Sequence, residues 1–239
     1  MSNAELLKAW EAGLERPMLD ATLFLLATSY SVNSSDIGRL SIGDRDVRLL
    51  QLREWLFGHR LNNLAKCPAC GELIEWECDL KEFYFQPVSS ELSSRQYLLE
   101  RENIHIHFRL PNSLDIVTAI SRQWNSNAVL SNCIIEVYEE NKKSSLDILT
   151  DEMWSALDEK MSELDPQADI KINLSCPVCS NHWQTSFDIV SYLWTEINNW
   201  AQRMVQEVYT LARAFGWSEK EILEMSTYRR ELYVEMLRT

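Results

Sequence analysis

One motif occurs twice in this chain, and it limits the possible folds more than any other feature. "KCPACGELIEWECDL" begins at Lys66 and "SCPVCSNHWQTSFDI" at Ser175, an offset of 109 residues. Each copy contains Cys-Pro-x-Cys, then an alternating stretch, then Asp and a branched aliphatic residue, so that Asp79 and Leu80 align with Asp188 and Ile189. A Cys-x-x-Cys turn presents two soft ligands from one tight knuckle, and zinc asks for four such ligands in a tetrahedron. Strand-like sequence follows each pair and also precedes it, weakly in "NNLAK" and clearly in "DIKINLS". Knuckle plus hairpin, twice, is the plan of a zinc ribbon. Cys67, Cys70, Cys176 and Cys179 are therefore the candidate ligands of one structural zinc, and the two half-sites must meet across an inserted region. Proline keeps both turns tight, while Ser180 stands where Gly71 stands in the first copy, predicting a slightly different second turn.

Other readings of the cysteines remain open at this point: knuckles that hold no metal, two separate sites, or a redox pair. A thioredoxin-like pair sits at a helix N-terminus, where the dipole lowers the thiol pKa, whereas strand-like sequence follows both pairs here. His182, three residues beyond Cys179, is an alternative ligand or a polar residue at the start of a strand. Cys78 and Cys133 lack partners at ligand spacing and read as small buried apolar groups. His105 and His107 share one strand face, which reads as the solvent side of an amphipathic strand. A catalytic zinc keeps a position open and needs a general base nearby. Four cysteines leave none open, and no HExxH motif, Gly-rich phosphate loop or GxSxG elbow is present. The expectation is a protein without catalytic residues.

Charge narrows the partners. The formal net charge is −13, and phosphate binding relies on Lys and Arg displacing counterions, so neither a nucleic-acid partner nor a membrane partner is expected. Nine tryptophans suit interfaces as well as cores. The N-terminus shows no basic segment followed by an apolar one, and "MLDATLFLLATSY" is too short and interrupted to span a bilayer. These features predict a protein made in a reducing cytoplasm, where cysteines serve as metal ligands more often than as disulfides.

The fold class expected is α+β, mainly helical, with the zinc-ribbon-like module flanking an inserted helical region. Helices are predicted over 4–15 and 18–30, the second opened by Pro17 and buried along Leu19, Leu23, Leu26 and Ala27. A polar loop follows, then a helix with Val47, Leu50, Leu52, Trp55 and Leu56 near helical spacing and Gly58 at its stop. Alternation predicts strands at 73–78 and 104–110; helical patterns cover 112–123, 125–139 and 150–163, with a polar loop "NKKSS" between the last two. From Asp188 to Phe215, Leu193, Ile197, Trp200, Met204, Val208 and Leu211 recur every three or four residues, an amphipathic helix ended by Gly216. Ser218 and Glu221 form a capping box, and "YRRELYVEML" closes the chain as a short helix. The organisation expected is an N-terminal helical region 1–62, a first knuckle and hairpin 63–88, an inserted α+β region 89–165, a second knuckle 166–188 and a C-terminal helical region 189–239.

Several stretches together resemble one family: "LLQLREWLFGHRL" before "CPACGE", then "FRLPNSLDI", "LDPQADIKINLSCPVC", "FDIVSYLWTEI" and "ARAFGWSEKEILEMSTYRRELYVEML". The chain is similar to the T-even-phage-like baseplate proteins of contractile phage tails and extracellular injection systems. The resemblance implies a non-enzymatic role in building the baseplate hub, with hub proteins as partners. It further implies a location in the cytoplasm during assembly and then in a virion-like particle. The alternative from the cysteines alone is a zinc-ribbon nucleic-acid or transcription-associated protein, which the acidic "ELIEWECDL" disfavours. Aromatic residues with arginine make interface hot spots, so Trp217, Tyr228, Arg229, Arg230 and Tyr233 are the expected partner surface.

Overall fold

The structure, a computed structural model, describes residues 1–87 and 95–237. It is a mixed α+β chain that divides into two units. One is helical and is made of residues 1–33 and 190–239; the other spans 34–189. The expected boundary at 88/89 lies outside the described residues.

The helical unit contains α1 (Asn3–Gly13), α2 (Met18–Tyr30), α8 (Ile189–Phe215), α9 (Glu219–Leu223) and α10 (Thr227–Met236), with α3 to α7 falling in the other unit. Ser2 and Glu5 cap α1 reciprocally, Pro17 precedes α2, and Ser218 and Glu221 form the predicted capping box on α9. On α8 the expected stripe is inward: Leu193, Ile197 and Leu211 are fully buried and Met204 nearly so. Leu7, Ala201, Met204 and Leu223 form one core cluster, with Trp10 and Trp200 packed against it. Trp10 donates its indole N–H to Asn198 Oδ1 at 3.1 Å, giving the ring's one polar atom a partner. Arg230 corrects an expectation. It is only 1% exposed; its Nε donates to Glu207 Oε2 at 3.1 Å and its Nη1 to the Met225 carbonyl at 2.6 Å. A guanidinium so enclosed belongs to the core and faces no partner. Tyr228, by contrast, is 71% exposed.

The other unit holds α3 (Ser34–Gly38), α4 (Ile42–Phe57), α5 (Ser113–Arg122), α6 (Ser126–Cys133) and α7 (Asp151–Leu164). Its strands are β1 (Arg60–Lys66), β2 (Leu73–Asp79), β3 (Gln96–Arg101), β4 (Ile104–Arg109), β5 (Ile134–Glu139), β6 (Lys142–Ser144), β7 (Lys171–Ser175) and β8 (His182–Ser186). They pair as two antiparallel hairpins, β1–β2 and β7–β8, and one four-stranded sheet in the order β3-β4-β5-β6. What lies between the knuckles is therefore a sheet with helices, more strand than the single one expected at 104–110. The helix expected over 125–139 ends at Cys133, and the remainder becomes β5. Val129, Leu130, Cys133, Ile134 and Val137 fit helical spacing, but Ile134, Val137 and Tyr138 are β-branched or aromatic and pair with β4, with Ile135 at a bulge between them. Part of the expected "NKKSS" loop is β6, and part of the loop before α4 is α3.

The sheet packs its inner face, Leu99, Ile104, Ile106, Phe108 and Val137, against Leu157 and Met161 of α7. Trp55 is 69% exposed, and α4 buries Arg45, Arg48 and Arg53 as well as Val47, Leu50 and Leu52. Each of these arginines donates to a group near it in the chain. Arg45 Nε donates to Asp46 Oδ1 at 2.6 Å, Arg48 Nη1 to the Asp44 carbonyl at 2.7 Å and Arg53 Nη1 to the Gly58 carbonyl at 2.7 Å. Gly43 at the start of α4 donates its N–H to Asp165 Oδ2 at 3.0 Å, and any Cβ there would collide with that carboxylate.

Candidate metal centre

The two hairpins build their knuckles from the same hydrogen bonds. In the first, Cys67 N donates to the Glu72 carbonyl at 2.8 Å and Gly71 N to the Cys67 carbonyl at 2.9 Å. In the second, Cys176 N donates to the Asn181 carbonyl at 2.9 Å and Ser180 N to the Cys176 carbonyl at 2.9 Å. Each turn closes on a residue in the left-handed region, Gly71 at φ +78 and Ser180 at φ +57. The expected difference between the turns is thus absent from the backbone, since Ser180 adopts the glycine conformation despite its Cβ. Beyond the knuckles, Leu80 N donates to the His59 carbonyl and Phe187 N to the Ile170 carbonyl, both at 2.8 Å, closing the open end of each hairpin.

The sulfurs converge. Cys67 Sγ lies 3.7 Å from Cys179 Sγ and Cys70 Sγ lies 3.6 Å from Cys176 Sγ, and all four fall within 4.8 Å of one another. A disulfide sulfur pair would be about 2.05 Å apart, and all six cysteines are free. A tetrahedron with metal–sulfur bonds of about 2.3 Å has sulfurs roughly 3.8 Å apart, so the cluster has the size of a four-thiolate cage. Cys67 and Cys176 are buried, while Cys70 and Cys179 are exposed, so each knuckle contributes one inner and one outer sulfur.

Proton affinities show what four thiols so close together demand. Burial opposes ionisation of Cys67, yet the N–H groups of Cys70 and Ala69 and the thiols of Cys70 and Cys179 hold it down at about 6. At Cys70 the Glu72 N–H favours the thiolate, but the Cys179, Cys176 and Cys67 thiols together with burial push it up to about 12. At Cys179 the Asn181 N–H and the Cys70 thiol favour the thiolate, but burial and the Cys176 and Cys67 thiols raise it. Negative charges this near one another cannot all be carried without a cation among them; a bound dication removes the conflict.

Beyond the knuckles, the half-sites are held together by further contacts. Gln167, fully buried before β7, donates Nε2 to the Phe83 carbonyl at 2.8 Å and accepts from Phe85 N at 2.9 Å. Phe83, after β2, meets Phe187, after β8, with ring centroids 4.8 Å apart. Sequence reasoning missed all of these; they carry no periodicity and no ligand chemistry.

Other candidates fall outside the cluster. His182, His105 and His107 join no grouping of metal-binding side chains among the described residues. His107 instead lies edge-on to Tyr138 at 5.7 Å. Burial raises the Cys133 thiol to about 12 and the Cys78 thiol to about 11, which suits small packed groups rather than reactive ones. Both Cys-x-x-Cys pairs lead into strands, as a redox pair at a helix N-terminus would not.

With this geometry in place, comparison with known proteins is informative. The family model described as "T4 bacteriophage base plate protein" matches residues 3–194. The chain therefore belongs to the T4 baseplate protein family, and the matched span includes both knuckles. It ends before α9 and α10. No curated protein and no solved structure matches the chain. Among the described residues no helix is long and apolar enough to cross a membrane.

Proposed function

We propose that this protein is a non-enzymatic structural or assembly component of the baseplate hub of a contractile tail-like particle, stapled by one zinc ion in a zinc-ribbon arrangement. Cys67, Cys70, Cys176 and Cys179 would hold the ion. Four thiolates complete its coordination and leave no position for a substrate or water, which fits a structural site. The observation that carries the reading is the family match across residues 3–194, which encloses the four converging cysteines. The protein works in the cytoplasm during assembly and joins a virion-like particle through other baseplate proteins.

The partner surface in this reading is the exposed side of the C-terminal segment. Trp217 stacks on Phe215 at 4.5 Å and meets Tyr233 edge-on at 4.8 Å, while the Arg229 guanidinium lies over the Tyr233 ring at 5.6 Å. Tyr228 and Arg229 are the side chains offered outward. The zinc-ribbon nucleic-acid alternative finds no support in the charge: Glu72, Glu75 and Glu77 are all exposed on the first hairpin.

Protein purified without chelator should contain close to one zinc per chain, and should co-purify with baseplate proteins when the gene cluster is co-expressed. Tyr228→Ala with Arg229→Ala should abolish co-purification without lowering the melting temperature. Metal-free folded protein would overturn the zinc, and undiminished co-purification of the double variant would overturn the surface.

A further inference from the structure

Four cysteines can pair into disulfides in three ways, and the placement of the sulfurs favours one of them. Cys70 and Cys179 are exposed, while Cys67 and Cys176 are each 2% exposed. Each exposed sulfur touches the buried sulfur of the other knuckle. Cys179 Sγ lies 3.7 Å from Cys67 Sγ, and Cys70 Sγ lies 3.6 Å from Cys176 Sγ. An oxidant arriving from solvent therefore meets one sulfur of each pair first and finds the second already in contact with it. Cys78 and Cys133 differ, because they contact nitrogen: Asn63 Nδ2 is 3.8 Å from the first sulfur and Arg109 Nη1 is 3.8 Å from the second.

We propose that the cluster is a convertible staple, whose four thiols are closed by a peroxide into two disulfides across the knuckles, Cys67–Cys179 and Cys70–Cys176. The Cys179 thiolate attacks one peroxide oxygen; the S–O bond forms, the O–O bond breaks and hydroxide leaves, giving a sulfenic acid. Cys67 then attacks that sulfur; the S–S bond forms, the S–O bond breaks and a second hydroxide leaves. The two hydroxides take up the protons that the two thiols release. Each pair thus gives two electrons to one peroxide and yields two waters. Cys70 and Cys176 repeat the step with a second peroxide.

The pairing decides what oxidation does to the fold. Disulfides within the knuckles would tie each hairpin to itself and leave the two hairpins unlinked. The cross pairs join residues 112 and 106 positions apart, and a bridge across so long a loop restricts the unfolded chain strongly. They would keep β1–β2 joined to β7–β8 in an oxidising medium such as a virion surface meets; that benefit rests on the tail-particle reading. The chemistry uses the same cysteines as the zinc reading but needs only their thiols, so each can fail alone.

The test treats the full chain, as purified, with a small excess of hydrogen peroxide, blocks the remaining thiols with iodoacetamide and digests with trypsin without reduction. The peptide that begins at Cys67 should emerge joined to the one that begins at Ile172, and fragmentation should place the bridges at Cys67–Cys179 and Cys70–Cys176. Cys78 and Cys133 should carry the blocking group. Variants give a second reading. Cys70→Ser with Cys176→Ser, and Cys67→Ser with Cys179→Ser, should each close their one remaining bridge at least tenfold faster than Cys176→Ser with Cys179→Ser, which keeps only the first knuckle. The proposal is overturned by bridges within the knuckles, by Cys67–Cys176 pairing, by arrest at sulfinic acid, or by equal closure in the one-knuckle variant. Metal content measured beforehand separates the two readings: cross bridges in a chain that holds no zinc would remove the zinc alone, and bridges within the knuckles of a zinc-loaded chain would remove this proposal alone.

Discussion

In the helical unit, one 27-residue helix carries Leu193, Ile197, Ala201, Met204 and Leu211 along a single buried side. In the other unit, no helix among the described residues exceeds the 16 residues of α4, and the strands have three to seven residues. Short elements bury little apolar area each. That unit instead joins separate segments through polar contacts: the cysteine cluster, Gln167 between Phe83 and Phe85, Asp165 on Gly43, and Asn132 on Asp115. The contrast teaches that a chain of short elements can be fixed by a few directional links, each of which is costly to remove because its partner stays buried. A long amphipathic helix spreads the same task over many small contacts.

If that contrast is right, the largest effect belongs to the metal. Chelation, or Cys176→Ser, should forfeit binding energy on the order of 10 kcal/mol. Amide exchange should then accelerate across β1, β2, β7 and β8, while the centre of α8 keeps its protection. Equal loosening of α8 would break the comparison.

Next comes Asp115. Arg109 grips both of its oxygens, at 2.6 and 2.9 Å, while Asn112 N and Asn132 Nδ2 also donate to it. Burial opposes the charge, but these donors, Arg109 first, hold the carboxyl below its ordinary value. A depressed folded pKa means that the contribution is fully present above the ordinary carboxylate value of about 3.9 and is lost as pH falls through the folded value. Asp115→Ala should cost about 3–5 kcal/mol at pH 7, because it strands a partly buried guanidinium. In denaturant melts the gap between wild type and variant should close below pH 4; a gap that persists there would mean packing, not charge, is lost.

The smallest effect tests the symmetry of the knuckles. Ser180 occupies a conformation that glycine adopts freely, so Ser180→Gly should gain up to about 1 kcal/mol, and Gly71→Ala should lose about 1–2 kcal/mol. Urea melts of the zinc-loaded variants measure both. A loss for Ser180→Gly would show that the two turns are not equivalent after all.

These cases also show which features could be read from the residues alone. The four cysteines were legible because soft ligands at repeated spacing have few other uses. The helices of the C-terminal third were legible because period and caps agree: the Gly216 stop and the Ser218–Glu221 box stand where expected, as the Gly58 stop does after α4. Residues 134–139 were not, because their apolar positions satisfy both periods and only pairing with β4 decides between them. Gln167 and Phe187 were invisible, since each acts through partners more than 80 residues away. Arg230 was misread for the same reason. Its buried state depends on Glu207, 23 residues earlier.

The 109-residue offset between the half-sites has a consequence for synthesis. At about 5–20 residues per second, Cys67 and Cys70 leave the ribosome several seconds before Cys176 and Cys179. During that interval the first knuckle offers a metal ion only half a coordination sphere. The four sulfurs can meet only once the second knuckle has been made and folded back to the first. Closing a loop this long costs little more entropy than closing a short one, because the penalty grows only with the logarithm of length. Completion of the candidate metal site is therefore a late event in this chain's biogenesis. A polypeptide truncated before Ser175 would be left with an incomplete site, open to proteolysis and to oxidation of its exposed thiols.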